Sequence, residues 1–519
     1  MKILSVEAEK TGAFSKLYLD YISQKETLLP FYNLFPSIEN IEQQIARKKF
    51  SSSQRVLLRD AMKKQYEGIV LKEAAEKGLE SLLNETTFTV TTGHQLNLFT
   101  GPLYVIYKTV AIIKACEVLK RKYTNYSFVP VFWIASEDHD FAEVNHFHLF
   151  GKTYTWETSQ KGAVGRMHCE GIDKILQELP EKIEVFEKAY LEHGTSLAKA
   201  TRYILNELFG AYGLLVLDGD DVSLKQVLKP VIKAEIEESP VGKIVEHTTK
   251  ALEDLGYGGQ IFPREINLFY LNEGVRERII KEGDLYKVNN SDIVYSQSEI
   301  LQLAEDHPEV FSPNVVLRPL YQEMLLPNVA YVGGPSELTY WLQLKEVFSH
   351  FGVTFPMLMP RLFFLVINSA NNKKILKLNI AVEDLFKPAY QLKELYIDMH
   401  SSEHIETDEE HALLSYIFKM LQTKAAEIDP TLVAFTEAEA KRADDIINNV
   451  EKRLKKALEK KHEQGIQQIL GLKERLFPAN TLQERYDNFL NFYINDPDFI
   501  DKLMTADPFD FRFKVLLPE

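Results

Sequence analysis

The sequence predicts an α/β protein: a doubly wound parallel sheet interrupted by inserted segments, followed by an α-helical coiled-coil hairpin. Three observations predict it. A strand, a helix and a second strand follow one another within residues 86–135, which makes one βαβ unit and implies parallel pairing. The same alternation returns around residues 196–218 and 329–358. From Asp408 the composition turns to Glu, Lys, Ala, Leu and Gln, with apolar residues three and four apart, the spacing of helices that pack along a seam.

Taken in order, residues 41–83 read as helix, with charged residues between Val56, Leu57, Met62, Ile69 and Leu71. Residues 86–91 are β-branched and aromatic and read as a strand. A loop over 92–102 precedes a helix over 103–122, carried by Val105, Ile106, Val110, Ile113 and Val118. Residues 126–135 form a second strand, apolar on both faces as a buried parallel strand requires. Residues 196–209 are helical, and Leu214 to Asp218 make a strand that ends in an acid. Val329 to Val332 make another, closed by Gly333-Gly334-Pro335. Ser336 is the expected N-cap of a helix running to Phe351, and 353–358 is the last strand. About 155–192 and 243–327 break the alternation and read as insertions, β-rich near 260–271. In the tail, Leu413, Ile417 and Leu421 form one stripe; after Pro430, Ile447, Val450, Leu454 and Ala457 form its partner. Pro478 closes the hairpin, and Phe489, Phe492, Tyr493 and residues 511–517 are expected back on the core. The expected division is a core over 1–380, a coiled coil over 381–478 and a returning segment over 479–519.

The 60 Lys and Arg against 75 Asp and Glu leave a net charge of −15, which argues against nucleic acid or an anionic membrane as partner. Two cysteines, Cys116 and Cys169, exclude a disulfide framework and form no metal-spaced set. The apolar runs over 128–135 and 363–367 are too short to span a bilayer, and residues 1–7 lack a sustained apolar run. A cytoplasmic protein without a resident metal is the expectation.

Three segments carry chemistry. Val90-Thr91-Thr92-Gly93-His94-Gln95 ends a strand ahead of a helix. Gly93 lets a ligand approach the backbone, free amides suit a phosphate, and His94 can donate to it. The pattern is similar to the T/HxGH signature of the nucleotidyltransferase and class I synthetase superfamily, with Thr91 first and His94 last. Ser136-Glu137-Asp138-His139-Asp140 follows the second strand; its carboxylates could grip an amine and His139 could move a proton. Gly333-Gly334-Pro335-Ser336-Glu337 reads as an anion-accepting helix start, with Tyr340 and Trp341 behind it. Arg318, with Gln322 and Glu323, and Arg361 are further strand-edge candidates. Gly151-Lys152-Thr153 lacks the upstream glycine of a phosphate loop, and His462-Glu463 falls in the coiled coil.

Together, Thr91-Thr92-Gly93-His94-Gln95, Phe99-Thr100-Gly101-Pro102, Trp133 to Asp140 and Gly333 to Glu337 resemble the bacillithiol biosynthesis cysteine-adding enzyme (BshC) family over essentially the whole chain. The resemblance implies a Rossmann-like core with connecting-peptide insertions and a coiled coil that supports a homodimer. It implies a cytoplasmic ligase that joins L-cysteine to the amino group of glucosaminyl malate, and an adenine nucleotide, ATP with Mg²⁺, that can bind. In a cysteinyl-adenylate route, His94, Asp138, His139 and Asp140 would be catalytic. Thr91, Gly93, His94, Gly333, Gly334 and Ser336 would bind the nucleotide. Gln95, Asn97, Glu137, Arg318 and Tyr340 would bind substrate. The chain carries no KMSKS-type lysine loop and no zinc-binding set to select the thiol. Two other readings stay open: a nucleotide-binding coiled-coil scaffold or regulatory protein, and a nucleotidyltransferase or ligase for another acid and amine. Convergence of His94, residues 138–140 and Gly333-Gly334 on one cleft would separate the enzymes from the scaffold.

Overall fold

The computed structural model describes residues 2–403 and 405–518. The chain starts with strand β1 (Lys2–Val6) and a short helix over Lys16–Ile22; residues 41–83 then hold three helices, α1 (Ile41–Arg47), α2 (Ser52–Gln65) and α3 (Glu73–Ser81). The long helix expected over 41–83 is thus three, and α2 opens on a capping box in which Ser51 and Gln54 satisfy each other's backbone amides. The βαβ unit follows as β2 (Thr87–His94), α4 (Tyr104–Lys122) and β3 (Ser127–Ile134). The hairpin β4 (His146–Leu149) and β5 (Lys152–Thr155), the helix α5 (Leu197–Phe209), capped by Ser196, and β6 (Leu215–Asp218) come next.

Five strands then build an antiparallel sheet: β7 (Leu268–Asn272), β8 (Val275–Glu282), β9 (Leu285–Val288), β10 (Val294–Ser296) and β11 (Phe311–Pro313), in the order β10-β9-β8-β7-β11. The β-rich stretch expected from residue 260 starts at Leu268. The chain re-enters the main sheet through β12 (Asn328–Gly333), helices α6 (Pro335–Trp341) and α7 (Lys345–His350), and β13 (Met357–Pro360). The single helix expected over 336–351 is broken at residues 342–344, and the last strand lies a few residues later than expected. β14 (Phe364–Val366) and β15 (Phe513–Leu517) join β1 in the order β1-β15-β14.

The main sheet is parallel, ordered β13-β12-β2-β3-β6. Thr87 to His94 pair in register with Ser127 to Ile134, and Tyr331 of β12 pairs with Thr91. From β2 the chain crosses to β3 on one side, whereas β12 flanks β2 on the other. The order therefore reverses between β2 and β12, and an open α/β sheet binds its ligands outside that point. α4 covers β2 and β3 with Val105, Ile106, Val110, Ile112 and Ile113, all buried, and Lys120, Arg121 and Lys122 complement its C-terminal dipole.

Two compact units divide the chain: residues 2–9, 13–365 and 481–516 in one, residues 10–12, 366–480 and 517–518 in the other. The first unit ends its long segment before residue 380 and takes back the segment from 481. That returning segment is built into its interior. Arg361, which follows β13, forms a bidentate ion pair with Glu484, both buried, with Nη1 2.8 Å from Oε2. Asn488 donates to the carbonyls of Phe99 (2.8 Å) and Gly101 (2.7 Å). These clamp a turn in which Phe99, Thr100 and Gly101 all have positive φ (50°, 68° and 66°), and Phe99 packs on Phe147, Phe186 and Tyr190. Beside it, burial pushes the Asp487 carboxyl up to about 7.

The second unit holds α8 (Ala389–His400) and the hairpin α9 (Asp408–Ile428) and α10 (Leu432–Lys461), continued by α11 (Glu463–Leu476). α9 and α10 pair antiparallel: Thr407 bonds Glu451, and His411 bonds Asp444. The paired side carries half-buried Leu414 and Phe418 and buried Ala425. The stripe expected to form that seam is not buried: Leu413 is 62% and Ile417 41% exposed. Among the described residues no helix is long and apolar enough to cross a membrane.

Candidate functional site

A cleft of about 670 Å³ opens outside the carboxyl ends of β2, β3 and β12, with the β7–β8 face forming its far wall. β2 delivers His94 as its last residue, because the strand runs three residues beyond the β-branched stretch. Its Nε2 lies 3.1 Å from the Tyr104 hydroxyl, the first residue of α4. Burial and the nearby Lys108 ammonium push the imidazole down to about 3, so His94 is neutral near pH 7. Burial, then the Glu337 charge, push the Tyr104 phenol up to about 12. Lys108, one turn along α4, donates to the Gly93 carbonyl (2.7 Å) and pairs with Glu337 (2.6 Å). Burial raises the Glu337 carboxyl, but Lys108 and the Gly334 amide outweigh it and bring it down to about 2.

The loop after β3 supplies the acidic side. Gln95 donates to Asp138 Oδ2 and to Glu143 Oε2, each at 2.7 Å. Burial raises Asp138, yet this amide, Arg276 and the backbone amides of 139 and 140 hold it below the usual carboxylate range. Arg276 of β8 lies 2.7 Å from His139 Nδ1. A guanidinium only donates, so that nitrogen accepts, and the basic lone pair expected to move a proton is engaged; burial and Arg276 also lower the imidazole's affinity for a proton. Glu137 is tied to the fully buried Lys225. Asp140 is exposed, and its carboxylate is not engaged by any described residue.

The structure brings Gly93, His94, Gln95, Glu137, Asp138, His139, Asp140, Arg318, Gly334, Ser336 and Tyr340 onto this cleft. Thr91, Asn97 and Gly333 do not line it. The Thr91 hydroxyl is buried and donates to Asn328 Oδ1 (2.9 Å), because Thr91 sits inside the sheet rather than at its edge. Asn97 turns to the Glu143 carbonyl (3.3 Å), and the Gly333 carbonyl accepts from the Arg361 amide (3.0 Å). The expected anion-accepting start of α6 is also altered. The N-cap is Gly334 rather than Ser336, and Glu337 reaches back to the Gly334 amide at 2.8 Å, so a carboxylate already occupies that position and repels a phosphate.

Arg264, Arg276, Arg278 and Arg485 line the cleft beyond those expected. Arg276 and Arg278 alternate along β8 and so share one face; they lie in an insertion whose strands showed little alternation in sequence. Lys108 could have been noticed as a lysine inside an otherwise apolar helical face. Among the described residues, Arg264, Arg278 and Arg485 meet no carboxylate, and Arg318 bonds only Gln322 (3.1 Å) and Tyr340 (3.2 Å). A chain of net charge −15 thus keeps uncompensated positive charge in its cleft, beside the carboxylates of 138, 140 and 143. Such a cleft can hold carboxylates or phosphates on one side and an ammonium on the other.

Comparison with known proteins gives the chain its family. The family model described as Bacillithiol biosynthesis BshC, N-terminal Rossmann-like domain, matches residues 1–362; that described as Bacillithiol biosynthesis BshC, C-terminal coiled-coil domain, matches residues 364–517. A protein of Cytophaga hutchinsonii is 41% identical over 519 residues, covering 99% of each chain. One of Flavobacterium psychrophilum is 43% identical over 502 residues, covering 94% of each. One of Salinibacter ruber is 30% identical over 530 residues, covering 95% of this chain and 94% of its own. All three carry the name "Putative cysteine ligase BshC".

Proposed function

The chain belongs to the bacillithiol biosynthesis BshC family, and from that membership we propose that it is a cysteine ligase, joining the carboxyl group of L-cysteine to the amino group of glucosaminyl malate. The observation that carries the reading is the convergence of His94, the 138–140 loop and Gly334 on a single cleft, which a scaffold would not need. Both partners of the reaction carry ammonium and carboxylate groups, and the cleft offers charges of both signs. Asp140, left free at the rim, is the carboxylate that would receive the acceptor's amine. Asp138 and Glu143 are fixed by Gln95 and would frame it. Arg318 and the β8 arginines would take carboxylates.

Amide formation from a free carboxylate is uphill in water, and an adenine nucleotide would supply its activation. The donor set fits the phosphates through side chains, His94, Arg318 and Arg485, and not through the start of α6, which Glu337 closes. Mg²⁺ would arrive with the nucleotide, bound to its phosphates. His94, neutral and fixed by Tyr104, would hydrogen-bond the activated group as charge develops there. The two buried free thiols, Cys116 and Cys169, fit a reducing cytoplasm. The apolar side chains left exposed on α9 and α10, among them Leu413, Tyr416, Phe435 and Ile446, fit a homodimer formed through the hairpin.

The test is a mass-spectrometric assay with cysteine, glucosaminyl malate and Mg²⁺, with and without ATP. Bacillithiol formed together with AMP, and lost in His94→Ala, is the expected result. Bacillithiol with ADP, or with no nucleotide consumed, keeps the ligase and removes the adenylate. No product from any nucleotide removes the ligase reading.

A further inference from the structure

Three elements around the switch point meet on one carboxylate, and a fourth is tied to it through a lysine. Glu337, in α6, accepts from the Gly334 amide at the end of β12 (2.8 Å), from the Tyr331 hydroxyl of β12 (2.8 Å) and from Lys108 of α4 (2.6 Å). Lys108 gives a further proton to the carbonyl of Gly93 in β2 (2.7 Å). Its side chain is 1% exposed, and an ammonium that deeply buried stays charged only with partners such as these. The partners it has chosen are informative. Gly93 directly precedes His94, and Tyr104, which contacts the His94 ring, lies four residues before Lys108 on the same face of α4. One helix face therefore fixes both the backbone and the side chain of the strand end. On the other side, a Cβ at Gly93 would stand 3.1 Å from the Trp133 carbonyl, so β2 has no room to move toward β3.

We propose that Lys108 is a positioning residue: held between Glu337 and the Gly93 carbonyl, it locks the end of β2 so that His94 stays against Tyr104 and faces the bound substrates. That His94 faces substrate rests on the ligase reading; the placement of the imidazole does not. A buried cation beside the ring also keeps the ring uncharged. The charged and titratable groups that face it are Tyr104 and Lys108 from α4, Glu337 from α6, and Arg361 after β13. Lys108 and Arg361 favour the neutral imidazole, and Glu337 opposes them.

Two variants and one titration test this. Lys108→Met should lower kcat by about 100-fold, the cost of a misplaced catalytic group, with KM values little changed. Lys108→Met/Glu337→Gln removes both charges together and should melt near the wild-type temperature while kcat stays low. Recovery of kcat in the double variant, or an unchanged kcat in the single one, would overturn the proposal, since charge balance alone would then suffice. Labelled-histidine NMR of the wild-type protein should find no His94 titration between pH 5 and 8, and Lys108→Met should bring one into that range. A wild-type ring that titrates near 6.5 would overturn the placement. If the wild type makes no product at all, the ligase reading fails, and the NMR titration still decides where Lys108 holds the ring.

Discussion

At the residue scale, the buried Arg361 has one carboxylate partner, Glu484, and the cost of breaking that pair can be stated. Glu484→Ala would strand the Arg361 guanidinium in a site where it is 2% exposed. Removing one partner of such a pair costs about 3–5 kcal/mol, and denaturant unfolding should read a loss of that size. Asp487 makes a prediction with a sign in pH. Its carboxyl titrates at about 7 in the folded protein and near the ordinary value of about 3.9 in the unfolded chain. Between those values the folded protein keeps a proton that the unfolded chain has lost. Stability is therefore full below about 4 and falls as pH rises through 7. Asp487→Asn mimics the protonated form. It should leave the unfolding free energy unchanged at pH 4 and raise it at pH 8, by at most about 4 kcal/mol. The residues themselves were unequally legible. His94, Gly93 and the 137–140 run announced themselves at strand ends, where chemistry concentrates. Lys108 stands out locally only as a lysine on an apolar helix face; its pairing with Glu337, more than two hundred residues away in sequence, is recorded by no local pattern.

At the element scale, β2, α4 and β3 were readable because β-branched and apolar runs dictate strands, and a 3.6-residue period dictates the helix between them. The break between α6 and α7 was not readable. Residues 342–344 are Leu, Gln and Leu, without Gly or Pro, so the period continues through a break that tertiary contacts impose: the buried Gln343 side chain accepts from the amides of 260 (2.8 Å) and 261 (3.1 Å). In the coiled coil, α9 carries two apolar stripes, and sequence alone could not say which one faces α10. The strained turn at 99–101 makes a further prediction. A Cβ at Gly101 would sit 2.4 Å from the Cβ of Asn97, at a φ of +66°. Gly101→Ala should lower stability by about 1–3 kcal/mol, and thermal unfolding would read it as a lowered midpoint.

At the scale of the whole molecule, the apolar residues left exposed on the hairpin, Leu413, Ile417 and Leu421 on α9 and Val450 and Leu454 on α10, are where the proposed homodimer would form. Leu413→Glu/Val450→Glu places two charges there. On the proposed homodimer, light scattering should read a dimer for the wild type and a monomer for this variant; a monomeric wild type would overturn the homodimer, and a variant that stays dimeric would place the contact elsewhere. The three-stranded sheet β1-β15-β14 has a different consequence, one that concerns synthesis. Its middle strand is the last of the sequence, and one of its neighbours is the first. While the ribosome is still at work, β1 and β14 lack the strand that joins them, and Arg361 waits for a carboxylate more than a hundred residues downstream. Domains that emerge early can usually fold early; here the first unit is completed only after the whole helical excursion of 366–480 has been made. Nascent chains arrested before residue 481 should therefore remain open to protease in the core that the finished protein buries.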